Sequence, residues 1–458
     1  DAYLTIQSVL ATDPLDFRIR NEHYLALQKQ GSPSKANEIL ASLEKEMRQF
    51  DDNYLELAVS YLNDGLLNEA EDVLSRFNGN NPLFDYYLGY IQDKLGDKDK
   101  AETLFKKASK YSVDYIFPYR FETAEALKKA LEYNSTDGKA YYYLGNIYFE
   151  KQPELAMNYW EKASQLAPDL SIVFRNLGWG YYYYRNDIES AIQNYETAVN
   201  INKNEAIYYS ELDALYVQNN TPIEIRLKLF EGNEEIVKNR DDAYIKLIDV
   251  LTLAGKPGRA VQLLDGAQFS YREGTSNVRD IIINAQLMTG LSYFNNKEYD
   301  KALQYFLKSQ IQEEEAGSAR LGKRDMQVNY YIAQAYKSLN KTNEAKKFFS
   351  KASLISSNRI NIMDYYKGLS LRELGDVKNA KKTFESMIAA ANERIENITK
   401  SEIGTIFGRS EAENMQRSIN YTIRGLGYKG LNQTENATAD LKQALSYSKS
   451  NLWANVEM

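Results

Sequence analysis

The chain of 458 residues has no cysteine and a single histidine, His23. Without cysteine there is no disulfide, no thiolate nucleophile and no cysteine metal site, an absence compatible with reducing and oxidising compartments alike. Without a second histidine, no metal site can rest on a histidine pair. His23 reads as a packing or surface residue, which leaves a Ser–His–Asp triad without its base. Prolines number 8 and glycines 24, too few for long disordered linkers. No apolar run approaches the roughly 18 residues that span a bilayer. Nor is there a basic excess: 56 Lys and Arg face 63 Asp and Glu, a net charge of −7. A nucleic-acid partner is disfavoured, because phosphates call for a basic face. No phosphate-cradling GxxxxGK[ST] occurs, and the opening Asp1-Ala-Tyr-Leu-Thr-Ile6 lacks the basic stretch and apolar core of a signal peptide. Paired carboxylates of the glycosidase kind remain open in principle, but 63 acidic residues produce such pairs by chance. These exclusions leave no catalytic residue, no metal site and no cofactor, and the chain reads as a non-enzyme.

What is present is ordinary in bulk, with 43% hydrophobic and 26% charged residues, apart from 37 tyrosines. The order of these residues is not ordinary. Tyr141, Leu144, Gly145 and Tyr148 are followed by Ala156, Trp160, Ala163 and Pro168. Phe174, Leu177, Gly178 and Tyr181 are followed by Ala191, Tyr195 and Ala198. Gly89 leads to Ala101, Phe105 and Ala108, Gly290 to Ala302 and Phe306, and Gly368 to Ala380 and Phe384. Ala333 and Tyr336 precede Ala345, Phe349 and Ala352, and Gly425 precedes Ala437, Leu441 and Ala444. About ten copies stand in consistent order, and they resemble the tetratricopeptide pattern W-x2-L-G-x2-Y…A-x3-F. Each unit would be two antiparallel helices, with small residues where the helices cross and aromatic or leucine residues filling the space between. Leu95-Gly-Asp-Lys98 and Leu339-Asn-Lys-Thr342 would end one helix before the next. The expected fold is therefore all-α, a right-handed solenoid of helix-turn-helix units.

Breaks in the pattern divide the chain. Residues 1–110 hold N-terminal units, the first a lone second helix, as though the chain were cut from a longer protein, and residues 17–50 form a degenerate unit. An irregular segment with one lone helix occupies 111–137, because Pro118 forbids a regular helix there. Central units follow at 138–280, and units with longer loops at 281–458. Among those loops, Glu313-Glu-Glu315 with Arg320, Lys323 and Arg324 reads as a solvated charged connection rather than a cation site.

A narrower resemblance rests on Asp114-Tyr-Ile-Phe-Pro-Tyr-Arg120, Tyr142-Tyr-Leu-Gly-Asn146, Arg175-Asn-Leu-Gly178, Glu211-Leu-Asp-Ala-Leu-Tyr216, Phe269-Ser-Tyr-Arg-Glu-Gly274 and Leu452-Trp-Ala454. Together these resemble the helical C-terminal half of large bacterial tetratricopeptide proteins whose N-terminal half is a β-rich domain of unknown function. The resemblance covers most of residues 80–458. It implies that any catalysis lies upstream, and it carries no catalytic residue into this half.

One cluster stands out as a candidate ligand surface. In the run Tyr181–Tyr184 successive residues turn by about 100°, so not all of them can be core. Tyr181 fits the packing position, which turns Tyr182, Tyr183, Trp179 and Arg175 toward the inner groove. Tyr142, Asn146 and Phe149 take equivalent places one unit earlier, and Tyr86 and Tyr90 do so earlier still. Such an aromatic stripe with Arg and Asn suits a scaffold that docks a protein or peptide partner, or the missing N-terminal domain of its own chain, and alternatively a glycan beside a sugar-processing domain. The alternative is that the stripe packs against the irregular segment 111–120.

Overall fold

The computed structural model describes residues 2–267, 269, 278–310, 324–397 and 413–458. Among them there are 26 helices and no strand. The chain forms two compact units, residues 1–201 and 202–458, so the division runs inside the central block read at 138–280.

The first unit opens with α1 (Ala2–Thr12) and continues in pairs: α2 (Phe17–Lys29) with α3 (Pro33–Met47), α4 (Asp51–Asn63) with α5 (Leu67–Ser75), and α6 (Pro82–Leu95) with α7 (Lys98–Ala108). A lone helix, α8 (Phe121–Tyr133), precedes the pairs α9 (Gly138–Tyr148) with α10 (Pro153–Leu166) and α11 (Ser171–Tyr183) with α12 (Ile188–Ile201). The second unit pairs α13 (Ala206–Gln218) with α14 (Ile223–Phe230), adds the short α15 (Glu234–Val237), and pairs α16 (Asp241–Leu253) with α17 (Pro257–Leu264). Next come α18 (Val278–Asn295) with α19 (Tyr299–Lys308), α20 (Asp325–Ser338) with α21 (Thr342–Leu354), and α22 (Met363–Glu373) with α23 (Val377–Glu396). The pair α24 (Glu413–Gly430) and α25 (Thr434–Tyr447) and the short α26 (Leu452–Glu457) complete it.

Local chemistry sets the joints. Gly96, at φ 93°, ends α6 in the left-handed conformation that glycine reaches without strain, and Asn340 does the same after α20. Asp97 then caps α7 by accepting from the Lys100 amide at 3.0 Å. In five of the pairs a glycine of the first helix lies under an aromatic ring of the second. A Cβ on Gly89 would stand 2.6 Å from the Phe105 ring, and one on Gly178 would stand 2.5 Å from Tyr195. Gly145 faces Trp160, Gly290 faces Phe306 and Gly368 faces Phe384 in the same way. The small residues expected at the crossings are where the helices touch.

That contact makes a prediction. Gly178→Leu and Ala302→Leu, both at buried crossings, should each cost about 1–3 kcal/mol or more through overpacking. Lys308→Ala, on the exposed face, should stay within about 0.5 kcal/mol. Urea midpoints decide it, and three equal midpoints would remove the glycine–ring contact as the organising element.

The second unit departs from a simple open array. Its first pair reaches its last: the Asn220 side chain donates to the Ser446 carbonyl at 3.1 Å and accepts from the Lys449 amide at 2.6 Å, and Arg226 donates to Ser450 Oγ at 2.7 Å. The short α26 lies across first helices of the intervening pairs. Trp453 is buried, donates to Asn284 Oδ1 at 3.2 Å and stacks on Tyr331, with Tyr366 edge-on. The Glu457 carboxylate accepts from Tyr366 at 3.0 Å, Tyr331 at 3.3 Å and Lys429 at 2.9 Å.

Arg324 corrects an expectation. Read as part of a solvated connection, it is buried, donating to Gln327 Oε1 at 3.0 Å, Asn284 Oδ1 at 2.9 Å and Asp280 Oδ1 at 3.3 Å, with its guanidinium over the Trp453 ring. Its charge is held by three polar partners and a π face, so burial is tolerated. Residues 270–277, 311–323 and 398–412, with Glu313–Glu315, Arg320 and Lys323 among them, lie outside the described residues.

Candidate functional site

The residues singled out from sequence fall on α6, α9 and α11 of the first unit. Asp137 starts α9 by accepting from the Lys139 and Ala140 amides, both at 3.1 Å. Its other oxygen accepts from Tyr86 Oη at 2.8 Å. Tyr86 is fully buried, and burial beside that carboxylate holds its phenol well above the ordinary range. Expected on the open groove, Tyr86 is core. The reason is α8, which packs on α6 and brings the start of α9 over its face.

Tyr142 is corrected in the same way. It is buried, and burial raises its pKa, with Arg175 opposing and Asp114 adding to the rise. Asp114 belongs to the irregular segment, whose Val113 and Ile116 join the same core, and whose Tyr111 carbonyl accepts from Lys139 Nζ. Packing against residues 111–120 therefore accounts for Tyr142. Asn146 is also committed internally, accepting from Trp160 Nε1 at 3.1 Å and Asn176 Nδ2 at 3.0 Å. Tyr90 is half-buried, with the Lys94 ammonium 4.8 Å above its ring.

The other members come together. Phe149, the C-terminal cap of α9, lies 4.9 Å from Trp160, 5.0 Å edge-on from Trp179 and 5.1 Å edge-on from Tyr184. Trp179 lies 3.9 Å from Tyr183, which meets Tyr182 edge-on at 5.3 Å. Trp160 is buried, whereas Phe149, Trp179, Tyr182 and Tyr183 are half-buried and Tyr184 is exposed. The result is a ring-against-ring surface at the ends of α9 and α11, anchored on a buried tryptophan and open at its outer edge. Tyr184 was missed because only its neighbours were assigned inward places, although it continues the same run. Four exposed rings at Tyr115, Phe117, Tyr119 and Phe121 were also passed over. Their spacing by two, across a proline, was the available signal.

No cluster of three or more His, Asp or Glu side chains that could hold a metal ion occurs among the described residues. No described helix is long and apolar enough to cross a membrane.

Models of the family described as tetratricopeptide repeat match residues 86–112, 284–309, 326–359 and 364–390. These segments are the pairs α6–α7, α18–α19, α20–α21 and α22–α23. The chain is a tetratricopeptide repeat protein. Solved structures similar to it include a tetratricopeptide repeat protein from Parabacteroides merdae, 15% identical over 62% of this chain and 98% of that one, with a TM-score of 0.26. MamA from Desulfovibrio magneticus RS-1 is 22% identical over 42% of this chain and 96% of its own, with a TM-score of 0.24. YrrB, described as a tetratricopeptide protein with an unusual peptide-binding site, is 16% identical over 45% of this chain and 97% of its own, with a TM-score of 0.22.

Proposed function

We propose that this tetratricopeptide repeat protein is a non-catalytic scaffold whose first unit docks a partner protein or peptide on the aromatic surface around Trp179. Repeat arrays of this kind present extended surfaces built for binding. The observation that carries the reading is the cluster Phe149–Trp179–Tyr183–Tyr184, which is packed from below by Trp160 and open at its edge. Rings held in place by their neighbours lose little conformational freedom on binding, and tryptophan and tyrosine are the residue types that dominate interface energetics. The second unit offers an internal precedent. Its aromatic residues Tyr331 and Tyr366, on the first helices α20 and α22, accept a short helix of the same chain that inserts Trp453. A comparable protein segment suits the Trp179 surface, and this favours a polypeptide over a sugar.

Trp179→Ala should weaken binding of a partner purified with the intact chain at least tenfold, about 1.4 kcal/mol, and leave helical circular dichroism unchanged. Equal affinity for the two proteins would refute the surface. An oligosaccharide-array signal lost with Trp179→Ala would reassign it to a glycan.

A further inference from the structure

In the second unit, apart from the Trp179 surface, a short helix sits in a groove built by its neighbours. So short a helix does not hold itself in water, and α26, Leu452–Glu457, owes its shape to what surrounds it. It is held by side chains on the first helices of four successive pairs, α18, α20, α22 and α24. Asn451 caps it through the Ala454 amide at 3.1 Å, and donates to Ser418 Oγ at 2.9 Å and Thr422 Oγ1 at 2.8 Å on α24. Trp453 and Glu457 stand four residues apart and so share one face of α26. The tryptophan meets the rings of Tyr331 and Tyr366, and the carboxylate accepts from both of their hydroxyls and from Lys429. An anchor pair at this spacing is how a groove reads a helical peptide.

α26 does not fill the groove that holds it. Where it ends, a cleft of about 320 Å³ continues, lined by Glu457 and Met458 together with Tyr365, Leu369, Arg372 and Leu441. Clefts of this size with apolar walls and a few polar groups are where ligands bind, and a cleft in line with a seated helix has room for a longer one. Nor is α26 needed to close the unit. The bonds that join its first pair to its last fall at Ser446, Lys449 and Ser450, all before Leu452, so α26 can leave without breaking them.

We propose that α26 is a displaceable occupant of a peptide-binding groove on the second unit. The partner that replaces it is a protein helix with a tryptophan, an acidic residue four positions later and a further apolar turn that enters the cleft. Tryptophan and acid take over the contacts of Trp453 and Glu457. The further turn gives the partner its advantage, because a segment tethered in the same chain competes at high effective concentration. In the absence of such a partner α26 keeps the groove shut.

Two measurements on the whole chain test this. Because the chain has no cysteine, a single engineered thiol reports cleanly. Ala454→Cys on α26 and Ala333→Cys on α20 replace equally buried residues. In native buffer the thiol at 454 is expected to react with a soluble reagent at least tenfold faster than the one at 333, since α26 opens by itself. The second probe is a fluorescent synthetic peptide with the sequence of Asn451–Met458 followed by two leucines. It should bind Glu457→Lys, whose own α26 is repelled by Lys429, at least tenfold more tightly than the parent. The same peptide with its tryptophan changed to alanine or its glutamate to lysine should lose at least tenfold in affinity. Equal reaction rates at 454 and 333 would mean that α26 leaves only when the unit unfolds, and would overturn the proposal. So would a peptide that binds neither protein, that binds both alike, or that tolerates loss of its tryptophan or acid.

Discussion

Asp213→Ala is expected to lower the stability of the second unit by about 3–5 kcal/mol, the cost of stranding a buried charge when its partner is removed. Asp213 and Arg226 are each 1% exposed at the side chain and form a two-pronged pair, Nε to Oδ1 at 2.7 Å and Nη2 to Oδ2 at 2.9 Å. With the carboxylate gone, the guanidinium would keep Ser450 Oγ as its hydrogen-bond partner and Asp249 as a nearby carboxyl, whose pKa burial raises against the opposing pull of Arg226. Attraction to that carboxyl would recover part of the deficit, which places the expected value toward the lower end of the range. The pair is worth far less than the loss of one member, because desolvating both ions offsets most of their attraction. The double change Asp213→Leu with Arg226→Met should therefore restore most of the stability. Urea unfolding followed by circular dichroism reads both outcomes. A loss below about 1 kcal/mol for Asp213→Ala, or no recovery in the double variant, would contradict the account.

Trp453→Ala should be comparably damaging, about 3–5 kcal/mol for a buried tryptophan. The residue is 6% exposed and its indole touches three other helices, through Asn284 of α18, Arg324 and Tyr331 at the start and middle of α20, and Tyr366 of α22. Removing it leaves a cavity among rigid rings and takes the π face from a buried guanidinium. Trp453→Phe should recover about half of the loss, because it refills the cavity without the Nε1–H donor to Asn284. Thermal unfolding of the three proteins distinguishes these values. A midpoint for Trp453→Ala within 2 °C of the parent would mean that α26 does not hold the first helices together.

The repeat itself was open to reading because it is written at fixed spacing. Gly89 and Phe105, Gly290 and Phe306, and Gly368 and Phe384 each meet across one turn between neighbouring helices, so local order determines the contact. The lone helix after Pro118 was legible for the same reason: proline fixes φ whatever surrounds it. What depends on distant chain was not legible. Arg324 looked solvated beside other charged residues, and its burial rests on Trp453. Tyr86 and Tyr142 were assigned to an open groove on the assumption of a regular array, and the insertion of 111–120 and α8 covers both. In the Trp179 cluster the rings of Phe149, Trp179, Tyr182 and Tyr183 meet in space, whereas Asn146 accepts from Trp160 and Asn176.

The head-to-tail bonds of the second unit change how it can come apart. In a linear array each repeat is held only by its neighbours, so the outermost helices peel away first and partial states accumulate from the ends inward. Here the turn after α13, and α14 itself, share hydrogen bonds with the end of α25 and the chain just after it through Asn220 and Arg226, and neither end can fray without opening the other. A structure whose local contacts would favour gradual melting is thereby made cooperative by three bonds spanning more than two hundred residues of sequence.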